Sequence, residues 1–132
     1  MERKRINKIT GLIYELSPFN RRKNPRFKVK QCLECRCVYK ELDEQRELSA
    51  WIIDVSGGGL LLMTGKSKIY PQTELSVNFK LPNHQEEILI SGVVVRTYRR
   101  QAEVNHFSGV SVGSENKVEI KLLLDFVCSE QE

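Results

Sequence analysis

Two short clusters in this 132-residue chain carry side chains suited to an anionic, hydrogen-bonding ligand. The first is Arg21-Arg22-x-x-x-Arg26, in a stretch that also holds Pro25. A guanidinium is a planar fork that grips a phosphate through two parallel hydrogen bonds or meets the paired acceptors of a purine edge, which a lysine point charge does not reproduce. The second is Asp54-x-Ser56-x-x-Gly59. An ionised aspartate only accepts, a serine hydroxyl donates and accepts, and glycine lets the backbone bend and come close to a ligand. Each cluster alone has a plainer reading. A charge run is ordinarily solvated or a nonspecific polyanion contact, and Asp-x-Ser before glycines is a common turn device whose side chains bond their own backbone.

Other candidate chemistry is weaker. Cys32-x-x-Cys35-x-Cys37, with Cys128 or a histidine as a fourth ligand, has the residue types of a zinc site. Strand alternation, however, turns Cys35 and Cys37 to one face and Cys32 to the other, so the thiolates diverge and free thiols are expected. Ser56 lacks the nucleophile-elbow sequence, His84 and His106 have no evident carboxylate partner, and Glu86 and Glu87 alternate on a strand. No catalytic or metal-binding set is therefore assigned, and no enzyme is expected. Trp51 reads as a packing residue, with a stacking platform near Asp54 as the alternative, and Arg96, Arg99 and Arg100 read either as solvated charges or as neighbours of the site, with no assigned place.

Composition bounds the rest. With 40% hydrophobic and 29% charged residues, the chain suits one globular domain whose core needs no disulfide or metal. No apolar run approaches the ~20 residues needed to span a bilayer, and the N-terminus leads into no secretory core, so a cytoplasmic protein with reduced thiols is expected. The net charge of +4 hides an asymmetry: residues 1–30 hold ten Lys or Arg against Glu2 and Glu15. That +8 segment signals an anionic partner, without naming it.

The elements that must hold these clusters can be read from periodicity. Ile6, Ile9, Ile13 and Leu16 predict a short amphipathic helix ending at Ser17-Pro18, followed by a loop through Arg26. From Phe27 to Tyr39 alternation predicts a strand, with a turn at Asp43-Glu44-Gln45 and further strands at 48–53 and 60–63. Between those two, residues 54–59 are expected to form a sharp turn in which glycines take positive φ. Strands at 74–81, 88–98 and 102–112 complete a mostly β, six-stranded antiparallel Greek-key barrel. Ser114 is expected to cap a C-terminal helix whose apolar face is Val118, Leu122 and Phe126 with Leu123 and Val127, covering one barrel end.

The two clusters in this order, 28 residues apart from Arg26 to Asp54, with a strand between them and a barrel pattern behind, resemble the PilZ domain family of bacterial cyclic di-GMP receptors. The resemblance covers about residues 20–128 and includes Gly109-Val110; residues 1–19 are read as an N-terminal extension. It implies cyclic di-GMP as ligand and no separate cofactor. Arg22 and Arg26 would clamp phosphates or guanine edges, Asp54 would accept from guanine N1 and N2 with Ser56 beside it, and Gly59 would permit close approach. In the family the residue before the first arginine bears on whether one ligand or a stacked pair is held. Arg21 there adds a third cation and points to the pair.

The implied mechanism is a loop switch. Ligand charge neutralises residues 17–26, the loop orders over the barrel, and the N-terminal segment signals to a downstream protein that the sequence leaves unknown. Two rivals stand beside it. A basic nucleic-acid-binding module would use the +8 segment, but only Phe19 and Phe27 could stack there, which argues against it. A PilZ-fold adaptor without ligand is argued against by the intact Arg22, Arg26, Asp54, Ser56 and Gly59.

Overall fold

The computed structural model describes residues 3–6, 13–16, 25–82, 84–100 and 104–130. Two short strands, β1 (Arg3–Ile6) and β2 (Ile13–Leu16), pair antiparallel from Arg3 opposite Leu16 to Ile6 opposite Ile13. The helix expected over residues 6–16 is therefore replaced, among the described residues, by a strand pair. β-Branched isoleucines favour strands over helices, and a single isolated helix of that length is marginal in water.

The remaining strands are β3 (Phe27–Glu41), β4 (Glu44–Ser56), β5 (Gly59–Gly65), β6 (Glu74–Phe79), β7 (Ile88–Arg99) and β8 (His106–Val112). They close into an antiparallel barrel in the order β3-β4-β5-β8-β7-β6. The succession β6-β3-β4-β5 is a Greek key, its fourth strand returning beside the first. In β3, Leu33, Cys35, Cys37 and Tyr39 face inward while Glu34, Arg36 and the exposed Cys32 do not. Ile52, Val55, Leu60, Leu62, Val77, Phe79, Ile90, Val94 and Val110 supply the facing side chains of one continuous core. Trp51 is outside that core, 37% exposed on the outer surface.

Several local expectations are corrected. The β3–β4 turn is the two residues Leu42 and Asp43, both in the left-handed region (φ 51° and 67°), and Gln45 is already in β4. Asp54 and Ser56 lie in β4, not in a turn; only Gly57 and Gly58 separate Ser56 from its partner Gly59. Among the described glycines only Gly65 has a positive φ, 68°, so these turn glycines are not there for left-handed backbone. The last strand begins at His106, with residues 101–103 outside the described set.

After Gly113 a 3₁₀ turn, Ser114–Asn116, leads into α1 (Lys117–Glu130). Ser114 makes no capping hydrogen bond; the turn is closed by the Asn116 N–H donating to the Gly113 carbonyl at 3.1 Å. The buried seam of α1 is Ile120, Leu123 and Val127, spaced by three and four, and it joins the barrel core against β3, β4 and β7. Val118 and Leu122, expected on that seam, are exposed instead. At the far end of α1 the Glu130 carboxylate accepts from the backbone N–H groups of Lys30 (3.2 Å) and Gln31 (2.8 Å). Those residues occupy a bulge where five steps along β3, from Lys28 to Leu33, match two along β4. No helix among the described residues is long and apolar enough to cross a membrane.

Two outcomes follow. Leu42 is 91% exposed and, being neither glycine nor asparagine, is ill suited to its left-handed conformation. Leu42→Asn should raise unfolding stability by about 0.5 to 1 kcal/mol in urea denaturation. The hydrogen bond to Cys37, and after it burial, raises the Cys35 thiol above its ordinary range. Cys35 and Cys37 are buried and Cys32 is exposed, so a thiol reagent should modify Cys32 in the folded protein and reach Cys35 and Cys37 only on unfolding, as peptide mapping would show.

Candidate functional site

Cross-strand register assembles the site. Lys28 on β3 lies opposite Asp54 on β4, Asp54 opposite Leu61 on β5, Leu61 opposite Gly109 on β8, and Gly109 opposite Arg96 on β7. These five residues form one row across the outer face of the barrel. Its two ends are cationic, one interior position is a carboxylate, and its centre is a buried leucine beside a glycine.

Two bulges make the row possible. Ile52 and Val94 both face the core, so strict alternation would send Asp54 and Arg96 inward as well. An extra residue at Ile53, between the pairs Ile52–Leu62 and Asp54–Leu61, reverses the phase and brings Asp54 outside. Val95 does the same for Arg96, between the pairs Val94–Val110 and Arg96–Gly109. A one-residue bulge is the ordinary device for re-aiming a strand side chain, and here two of them aim at one face.

Arg26, Asp54, Ser56, Gly59, Arg96 and Gly109 all border a single cleft of about 150 Å³ on this face. That is below the usual 300–1,000 Å³ of an enclosing ligand cavity, so the described residues form an open seat rather than a full enclosure. A larger depression, about 690 Å³ across β3, β6 and β7, is bordered by no arginine and brings together none of the motif residues. Chemistry, not size, favours the smaller cleft.

Two of the three glycines that border the cleft, Gly59 and Gly109, are required by space. A Cβ on Gly59 would sit 2.1 Å from the Val110 carbonyl oxygen, a collision with backbone. A Cβ on Gly109 would meet the Cγ and Nε of Arg96 at 3.0 Å, so the missing side chain is what lets Arg96 lie across β8. Arg96 is also held from the other side. Its guanidinium lies over the Tyr98 ring at 5.2 Å, Tyr98 stacks on Phe107 at 5.5 Å, and Arg100 covers Phe107 at 4.3 Å. Such cation–aromatic contacts fix a long side chain without neutralising it.

Of the residues singled out from sequence, Arg26, Asp54, Ser56 and Gly59 converge on the cleft. Arg21 and Arg22 lie outside the described residues. The Ser56 hydroxyl accepts from the Gly58 N–H at 3.3 Å, so the turn reading of that serine and its place in the cleft hold together. The sequence alone gives Arg96 no place, because its position depends on the bulge at Val95. Arg99 is exposed at the end of β7, and Trp51 lies on the row Glu34–Trp51–Met63, apart from the cleft. Among the described residues no group of three His, Cys, Asp or Glu could hold a metal ion.

Because the Gly59 contact is with backbone, Gly59→Ala must part β5 from β8. It should cost about 1 to 3 kcal/mol in denaturant unfolding and broaden the amide resonances of residues 109–111 in NMR spectra.

The sequence matches the PilZ domain family over residues 20–127, while no curated protein matches it. Among solved structures, it resembles the PilZ domain with c-di-GMP of YcgR from Escherichia coli, at 13% identity and a TM-score of 0.62, covering 83% of this chain and 91% of that one. It also resembles the Bacillus subtilis inhibitor of motility MotI/DgrA, at 16% identity and a TM-score of 0.65, covering 90% of this chain and 53%, about half, of that one. With residues 20–127 matched and the barrel shared, this chain belongs to the PilZ domain family.

Proposed function

We propose that this protein is a cytoplasmic receptor for cyclic di-GMP, a binding module and not an enzyme, which passes ligand occupancy to a partner macromolecule. The observation that carries the reading is the convergence of Arg26, Asp54, Ser56, Gly59 and Arg96 on one cleft. Cyclic di-GMP presents two phosphodiesters and two guanines, so it needs cations on one side and an acceptor for guanine N1 and N2 on the other. The cleft offers a carboxylate between cations. The PilZ domain of YcgR, whose fold this chain shares, carries that ligand in its solved structure.

In this reading Asp54 accepts from a guanine edge, with Ser56 as a second polar contact and the backbone at Gly59 close to the purine. Arg26 and Arg96 face the phosphates or the acceptor edge of the second guanine. Arg22 and Arg21 reach the ligand from the N-terminal side, where the segment of residues 17–24 joins the barrel. The ligand's negative charge offsets the mutual repulsion of Arg21, Arg22, Lys23 and Arg26 and draws the segment onto the cleft, so residues 1–19 change position and a partner reads the change. Arg21 favours a stacked ligand pair.

Calorimetric titration tests this directly. Cyclic di-GMP should bind the native chain, while GMP and a short RNA should not compete at equal concentration. Arg22→Ala, Arg26→Ala and Asp54→Ala should each weaken binding by about 2 kcal/mol or more, roughly thirtyfold. Arg96→Ala should weaken it as well, and two ligands per chain should fall to one in Arg21→Ala. Equal heats for the native chain and the Asp54 and Arg26 variants would overturn the receptor reading, and tight RNA binding alone would replace it.

A further inference from the structure

A second cleft, of about 480 Å³, opens between the loop before β7, the first turns of that strand and α1. Leu89, 51% exposed, and Leu122, 39% exposed, form its apolar surface, and Val118, 70% exposed, extends it one helical turn along α1. Glu86, Glu87 and Glu119 supply its charge; His84 is the one bordering side chain able to carry a positive charge. The Oε2 atom of Glu119 is buried and has no hydrogen-bond partner. A buried carboxylate oxygen left unpaired is costly, and a cationic donor entering the cleft would remove that cost.

The cleft is preformed. The Asn116 side chain accepts from the Ser91 N–H at 3.2 Å and donates to the Ser91 carbonyl at 2.9 Å, as a neighbouring strand would. This double bond pair pins the start of α1 to β7, so Leu122 and Glu119 stand at a fixed distance from Leu89.

We propose that this cleft is a docking surface for a basic amphipathic segment of a partner protein. Leucine- or isoleucine-like side chains would cover Leu89, Leu122 and Val118, and a lysine or arginine would reach Glu119. Charge complementarity selects this occupant: the acidic border disfavours nucleic acid and anionic lipid, and the exposed leucines disfavour a purely polar peptide. The surface is distinct from the cleft of Asp54 and Arg96, so the proposal stands or falls apart from the ligand reading.

The test uses the full chain and a synthetic amphipathic peptide of lysine and leucine, with a glutamate-for-lysine counterpart as control. The chain carries a net charge of +4, so general electrostatics oppose the basic peptide and any binding must be local. The basic peptide should shift amide resonances of residues 84–91 and 116–123 and leave 54–59 and 109–111 unmoved; the acidic peptide should shift none of these. Glu119→Gln and, separately, Glu86→Lys with Glu87→Lys should weaken binding about tenfold or more, each with an unchanged circular dichroism spectrum. Shifts elsewhere, equal affinity of the variants, or no binding would overturn the proposal. Sedimentation showing self-association that Leu122→Asp abolishes would overturn it too, because the occupant would then be a second copy.

Discussion

The molecule depends on hydrogen-bond register across five adjacent strands of a closed barrel. Strand pairing fixes which residues stand opposite one another, and here it sets Lys28, Asp54, Leu61, Gly109 and Arg96 in line from β3 to β7. None of these residues is near the next in sequence except through the barrel. A slip of one residue in any ladder would turn a charged member of the row into the core, where an unpaired charge is expensive. The packed interior therefore does more than stabilise the fold: it penalises every register but the one that assembles the cleft.

Within that frame the cleft is shaped by absence as much as by chemistry. Gly59 and Gly109 keep the floor low at the two places where a side chain would collide, one with backbone and one with Arg96. Arg96 is then held flat by Tyr98 and Gly109 together, so its guanidinium is already oriented. Orienting a cation in advance lowers the entropy lost on binding. The same economy appears at the helix, where Asn116 and Glu130 bond backbone groups at either end and leave α1 little freedom to shift against the barrel.

The Glu130 contact also joins two parts of the molecule that the sequence keeps far apart. It grips backbone N–H groups of Lys30 and Gln31, only four and five residues beyond Arg26. The start of β3 is thereby tied to the end of α1, and the helix whose outer face carries Val118 and Leu122 is joined to Arg26 through one short piece of chain.

The succession of six barrel strands along the chain, the barrel class and the C-terminal helix were legible in the residues, because period-two alternation is a local property of a chain; Arg26, Asp54, Ser56 and Gly59 were named from short motifs, and the fold brings them to one cleft. What local pattern misread was decided by pairing and packing. The isoleucines of residues 6–16 have helical spacing, yet Ile6 and Ile13 end up paired across two strands. On α1 the row Val118–Leu122 and the row Ile120–Leu123–Val127 are both apolar, and only the position of the barrel core selects the second. Arg96 and Asp54 share a face because of bulges at Val95 and Ile53, and a bulge has no signature in hydrophobic alternation: it is a property of two strands in register, not of either strand alone.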